Sequence, residues 1–305
     1  MKVQEALQLF ANHKLGEGIK EKTIKNYLAL AKPFIASLSE RQNIEELRPS
    51  DITNFLAHER ARGLSPVTVR GMWRTLDLFF GWASSNGELG NPPNPMFLSP
   101  DKKIKAPKIP KKEPRRAKLS DLQRVIDAIP TNTWPDLRDR AILCLLMDTG
   151  LRVGEAAALD ISDIDIKQRL LLVRAGKGDK DRRVPFTEGT AKALLLYWLA
   201  KPVYNGPAVF LSAKGGHTDA VRGRMSVTGN EQMLQRLCKA AGVAHINPHS
   251  IRHAFACKAI DDGIRLEVIQ KLMGHHDAGF TAKTYAHLST QAIEREYNER
   301  WNSGK

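Results

Sequence analysis

Apolar residues recur at intervals of three and four along most of the chain. Val3, Leu7 and Phe10 form one such series. Ile24, Tyr27, Leu28, Ala31 and Phe34 form a second, so two amphipathic helices are predicted. Ser50-Asp51, standing before Ile52, Phe55 and Leu56, predicts the N-cap of a third helix. Ser65-Pro66 opens a fourth with the stripe Val69, Trp73, Leu76, Phe79 and Phe80, and Gly87 and Gly90 stop it. These elements amount to a small four-helix domain. Further on, Leu119-Ser120-Asp121 starts a helix expected to reach about Ile129, and a helix from Arg138 to Asp148 buries Ala141, Ile142, Leu145 and Leu146. The stretch 149–155 turns into another helix ending near Leu159. Runs at 164–166, 170–174 and 182–186 read as strands, the last two flanking a turn at 176–180. The remainder reads as mainly helical, with a break at Lys214-Gly215-Gly216.

Between the two helical regions the pattern stops. From Lys102 to Lys118 there are nine basic residues and one acid, Glu113, together with Pro107, Pro110 and Pro114. Proline withholds a backbone donor and resists helix, so an extended linker is predicted. The division is then 1–100, a linker at 101–117, and 118–305. A length of 305 residues agrees with about two domains at roughly 150 residues each.

Charge sharpens this picture. The chain carries 47 Lys and Arg against 33 Asp and Glu, a formal net charge of +14. Such a surplus attracts polyanions, and a basic extended linker can lie along phosphates. Lys108, Lys111, Lys112, Arg115 and Arg116 in the linker are candidate contacts, as are Arg70 and Arg74 on the fourth helix; Arg60 and Arg62 lie close by. No run approaches the roughly 18 apolar residues of a membrane span. The N-terminus turns polar at once, so no secretory signal is expected. Three well-separated cysteines (Cys144, Cys238 and Cys257) form no disulfide framework, which predicts a reducing cytoplasm.

Candidate chemistry concentrates after residue 148. Asn247 caps a predicted helix whose first residue is Pro248, and His249, Arg252 and His253 then share one face. An imidazole beside a guanidinium can hold an anion and move a proton near it. His245, His249 and His253 also recur every four residues, a spacing zinc accepts, but Pro248 interrupts a continuous helix and no carboxylate supports the set. No metal or other cofactor is therefore assigned. A last amphipathic helix is predicted over 263–273 with Leu266, Val268, Ile269 and Leu272 inward; Gly274 ends it and His275-His276 follow. Tyr285 stands ten residues beyond His275.

Taken in order, Thr-Gly-Leu-Arg-x-x-Glu (149–155), Gly-Lys-Gly-x-Lys-x-Arg (176–182), His-x-x-Arg-His (249–253), Gly-His (274–275) and Tyr285 resemble the tyrosine recombinase family, the phage-integrase and Xer-like site-specific DNA recombinases. The resemblance runs from about residue 119 to 290, and the helical N-terminal part is similar to the family's core-site-binding domain. It implies a mainly α, two-domain DNA clamp: an all-α N-terminal core-binding domain, and a mixed, mostly α catalytic domain with a small antiparallel sheet. It also implies roles. Tyr285 would be the nucleophile, Arg152 and Arg252 the phosphate-clamping arginines, and Lys177 the general acid, with Lys180 sharing its turn. His249 would assist proton transfer, and His275 would contact the phosphate unless His276 does. Glu155 would orient the cluster and His253 would be the further histidine of the motif. Met273 stands where the family often has Leu.

Residue types agree with that chemistry. Forked guanidiniums can stabilise a phosphoryl transition state, and a tyrosine oxygen, with a pKa near ~10, both attacks and leaves. The implied partners are double-stranded DNA with inverted core sites, a homo-tetramer on two duplexes joined through the C-terminal stripe Ile293, Tyr297 and Trp301, and an accessory directionality factor or a second recombinase. Integration, excision, transposition and resolution all fit. Cleavage and rejoining without synapsis, as in a type IB topoisomerase, and a non-catalytic DNA-binding protein are the alternatives.

Overall fold

The computed structural model describes residues 1–38, 42–110, 117–174, 181–213 and 221–274. The chain divides into two compact units, Met1–Lys112 and Glu113–Lys305. Among the described residues no helix is long and apolar enough to cross a membrane.

In the first unit four helices, α1 (Val3–Gly16), α2 (Glu21–Ser37), α3 (Pro49–Ala61) and α4 (Pro66–Ser84), enclose an aromatic core. Phe10, Phe34, Phe79 and Phe80 are each at most 1% exposed. α4 starts as predicted: the Ser65 hydroxyl accepts from the Thr68 N–H at 3.1 Å and Pro66 takes the first position. α3 starts earlier than predicted. Pro49 is its first residue, and Asp51, rather than capping from outside, accepts from the Arg48 N–H at 2.8 Å from within the first turn.

The predicted linker start at residue 101 is corrected. Strands β1 (Phe97–Ser99) and β2 (Lys102–Lys103) pair antiparallel, and Ile104 joins the core of the first unit. The Trp73 indole donates to the Ile104 carbonyl at 3.1 Å, and Lys103 pairs with Asp77 at 2.6 Å. One of the nine basic side chains, that of Lys103, is thus spent on the fold. Lys108 is exposed, while Lys111, Lys112, Arg115 and Arg116 lie outside the described residues. Arg70 and Arg74 are exposed one turn apart on α4.

The second unit is built around α6 (Trp134–Thr149), with α5 (Leu119–Asp127) beside it. Ala141, Ile142, Leu143 and Leu145 are fully buried, so α6 is covered on several sides, and each such leucine contributes roughly 1.5–3 kcal/mol of burial. α6 begins a turn earlier than its hydrophobic stripe suggested. Thr133 and Asp136 form a capping box, Thr133 N–H to Asp136 at 3.2 Å and Asp136 N–H to Thr133 at 3.4 Å. α7 (Val153–Ala158) leads to an antiparallel sheet, β3 (Ile164–Asp165), β4 (Leu170–Val173) and β5 (Arg182–Pro185), with Leu171 opposite Val184. α8 (Glu188–Ala200) packs on α6.

A strand pair flanks the break read at Lys214-Gly215-Gly216, in a stretch otherwise expected to be mainly helical. Strand β6 (Leu211–Ala213) pairs antiparallel with β7 (Val221–Arg224). β6 is only three residues long and β7 carries two arginines and a glycine, so neither offers a run of apolar alternation long enough to predict a strand. Tertiary bonds hold them: the buried Arg138 donates to the Leu211 carbonyl at 2.7 Å, and Arg224 donates to the Ala157 and Leu159 carbonyls at 3.1 and 2.8 Å.

α9 (Val227–Ala240), α10 (Pro248–Asp261) and α11 (Leu266–Met273) complete the unit. α11 rests on α10 through Ile269 and Met273, 0% and 1% exposed, with Leu266 against them. Val268, expected inward, is 36% exposed, because the buried stripe runs 266–269–273 and leaves 268 on the far side. Gly263 belongs to the turn after α10, not to α11, at φ +81°.

Candidate active site

Three short-range choices place the candidate residues. α6 ends at Gly150, whose φ of +59° suits glycine, and its N–H donates to the Leu146 carbonyl at 3.1 Å. The chain then turns so that Arg152 immediately precedes α7. α10 is capped by Asn247, which accepts from the Ser250 N–H at 2.8 Å, with Pro248 first in the helix. That start sets His249, Arg252 and His253 on successive turns. α11 ends at Gly274, at φ +62°, one residue before His275.

These three ends meet. The last carbonyls of α11 each accept from a different arginine: Leu272 from Arg182 Nε at 2.7 Å, Met273 from Arg252 Nη2 at 2.6 Å, and Gly274 from Arg152 Nη2 at 3.2 Å. A helix leaves its final carbonyls without intrahelical donors and carries partial negative charge there, so cations are favoured at this end. Arg252 is 2% exposed and also donates to the Gly150 carbonyl at 2.7 Å, which ties α10 to the end of α6. The Arg152 side chain is 46% exposed, at the rim of the cluster.

Glu155 sits between two of these arginines. It accepts from the Arg152 N–H at 2.8 Å and Arg152 Nη1 at 3.0 Å, and from Arg182 Nη1 and Nη2 at 3.0 and 2.8 Å. Burial alone would raise its pKa. Donation from Arg182 and from the Arg152 N–H, with the charge of both guanidiniums, outweighs that and holds the carboxyl below its ordinary value of 4.5. Glu155 is therefore a fixed carboxylate that gathers arginines, and no proton donor.

That shift has a measurable sign. A carboxyl whose folded pKa is depressed stabilises the fold fully above its unfolded value and loses that contribution as pH falls through the folded one. Glu155→Gln should therefore melt below wild type above about pH 4.5, and the gap should close at lower pH. Thermal melts at neutral pH and near pH 3 check this. Asp139, which burial raises despite Arg138 and Arg236, acts in the opposite sense but equally in both proteins, so it drops out of the difference.

His249 is exposed and lines a shallow depression with Val153, Glu231, Asn247, Ser250 and His253. His253 itself is 8% exposed, and its Nδ1 lies 3.9 Å from the Cys257 thiol. His245 precedes α10, outside the helix that carries the other two histidines, and no cluster of three metal-ligating side chains occurs among the described residues. Lys177, Lys180, His275, His276 and Tyr285 lie outside the described residues, as does the stripe Ile293, Tyr297 and Trp301. Arg182, quoted in the motif but given no role by sequence reasoning, proves central to the cluster. Its only sequence signal is its place in Gly-Lys-Gly-x-Lys-x-Arg.

Residues 116–292 match a family profile described as the phage integrase family, and residues 6–86 match one described as phage integrase, N-terminal SAM-like domain. Tyrosine recombinase XerA of Pyrococcus furiosus is 29% identical over 297 residues, 95% of this chain and 93% of that protein. Tyrosine recombinase XerD of Neisseria meningitidis serogroup B is 35% identical over 210 residues, 66% of this chain and 69% of that protein. Among solved structures, the Tn1549 transposon integrase in complex with transposon right end DNA shares the fold at a TM-score of 0.70 and 21% identity, covering 97% of this chain and 99% of that one.

Proposed function

The chain belongs to the phage integrase family, and from that premise we propose that it is a tyrosine-type site-specific DNA recombinase, cleaving and rejoining strands through a 3′-phosphotyrosine linkage. The observation that carries this reading is the convergence of Arg152, Arg182 and Arg252 on three successive carbonyls directly before His275. Such a cluster gathers three positive charges where an anion gains charge as it reacts, with Arg152 at its exposed rim.

The steps follow from the residue types. The Tyr285 oxygen attacks the scissile phosphorus and His249 accepts its proton. The P–O5′ bond breaks, and the 5′ oxygen leaves as a hydroxyl with a proton from Lys177. Arg152, Arg252 and His275 neutralise the non-bridging oxygens, where charge is largest in the transition state. Attack by the 5′ hydroxyl of a second strand reverses the sequence and frees Tyr285. One phosphodiester is exchanged for another, so rejoining draws on no nucleotide. His253, four residues after His249 on α10 and lining the same depression, supports the face that carries the proton transfer.

The partner is double-stranded DNA with inverted core sites. The first unit holds the core site through Arg70 and Arg74, and the basic segment with Lys108, Lys111, Lys112, Arg115 and Arg116 runs along phosphates. The working assembly is a homo-tetramer on two duplexes, joined through the tail stripe Ile293, Tyr297 and Trp301. A directionality factor or a second recombinase is the remaining partner this reading admits.

Covalent trapping tests the reading. Labelled DNA from the regions flanking the protein's own gene is incubated with the full chain and resolved on a denaturing gel. The expected result is a protein–DNA adduct whose nuclease-trimmed peptide carries a nucleotide on Tyr285. Tight binding without an adduct would make this a binding protein, and relaxation of plasmids that lack any specific site would make it a topoisomerase.

A further inference from the structure

Arg182 engages all three of its guanidinium nitrogens with protein. Nε donates to the Leu272 carbonyl at 2.7 Å, and Nη1 and Nη2 grip the two Glu155 oxygens at 3.0 and 2.8 Å. Its side chain is 13% exposed. It thus ties the start of β5 to the start of α7, 27 residues away, and to the end of α11, 90 residues away. A bidentate fork of this kind fixes direction as well as distance.

Both supports of Arg152 pass through this one side chain. Arg152 leans on Glu155, which Arg182 holds directly, and on the Gly274 carbonyl. Gly274 is also in close contact with Arg182: a Cβ at 274 would lie 2.7 Å from Arg182 Nη1. Removing Arg182 would release the carboxylate that aims Arg152 and loosen the last turn that leads into His275. Its buried nitrogens face protein oxygens, so it acts through its neighbours.

We propose that Arg182 is a positioning residue for strand cleavage, a strut that sets the Arg152 guanidinium through Glu155 and the end of α11. This rests on the recombinase reading above, which assigns Arg152 to the scissile phosphate.

The test uses the full chain and single-turnover adduct formation at saturating DNA. Arg182→Met should slow cleavage about 10- to 100-fold while equilibrium DNA binding stays within about threefold, the usual scale for a residue that orients a reacting group. Arg182→Lys keeps the charge but cannot reach both Glu155 and Leu272, and should lose less. In an Arg152→Met background, Arg182→Met should cost little more, because its effect travels through Arg152. Full additivity of the two losses, or equal loss of binding and cleavage, would overturn the proposal. One measurement needs no DNA: the Glu155 carboxyl, followed by carbon-13 NMR, should titrate at higher pH in either Arg182 variant. An unmoved Glu155 refutes the strut whatever the activity does. Absence of any wild-type adduct would sink the recombinase reading alone, with the NMR result still deciding the strut.

Discussion

Arg252→Met should cut strand cleavage about 100- to 1000-fold, the scale on which loss of one charge-stabilising donor acts on a transition state. DNA affinity should change only a few-fold, since many phosphate contacts share it. Arg252 is 2% exposed, and its fork spans the Gly150 and Met273 carbonyls at 2.7 and 2.6 Å. Those bonds align it between the ends of α6 and α11. Losing it also leaves two buried carbonyls without this donor, at about 1–3 kcal/mol each. Arg252→Lys retains the charge and a single donor centre, so it should regain part of the stability and little of the rate. Chemical denaturation and single-turnover cleavage on the same preparations separate the two losses. A Met variant that cleaves at wild-type rate would remove Arg252 from the chemistry.

Gly150→Ala should be a severely damaging single-methyl change, at about 2–5 kcal/mol. Two effects combine. Gly150 sits at φ +59°, where an L-residue pays roughly 1–2 kcal/mol. The added Cβ would also lie 2.3 Å from Phe255 Cδ1, well inside contact distance, and such overpacking costs about 1–3 kcal/mol. Phe255 belongs to α10, the helix that carries Arg252, so relief of the clash displaces the arginine and its hold on the Gly150 carbonyl. Denaturant midpoints measure the first consequence and adduct formation the second. A Gly150→Ala protein as stable as wild type would show that α10 can shift without cost.

Much of this site is legible in the amino-acid sequence, because its local geometry is set by short signals. Asn247-Pro248 announces the start of α10, and the helical repeat then places 249, 252 and 253. Thr149-Gly150 and Met273-Gly274 mark two helix ends that the structure brings together. What the sequence does not display is who meets whom. Arg182 is set apart from Arg183 only by closing the motif, and only a fold that carries β5 to Glu155 and Leu272 makes it a junction. The β6–β7 hairpin escapes notice for a related reason, since Arg138 and Arg224 stabilise it from outside. The linker reading fails at Lys102–Ile104 because a basic, proline-rich composition says nothing of Trp73 waiting to bond the Ile104 carbonyl.

The junction at the end of α11 is made with main-chain oxygens, and this changes how the site can vary between relatives. Leu272 and Met273 present to the arginines an atom that every residue possesses, while their side chains answer separately to the packing of α10. The two demands are uncoupled: Met273 leaves the carbonyl where Arg252 needs it, as a leucine of similar volume would. At the neighbouring position the demands coincide. Gly274 must adopt φ +62° and leave room for Arg182, so drift tolerated at 272 and 273 should stop abruptly at 274.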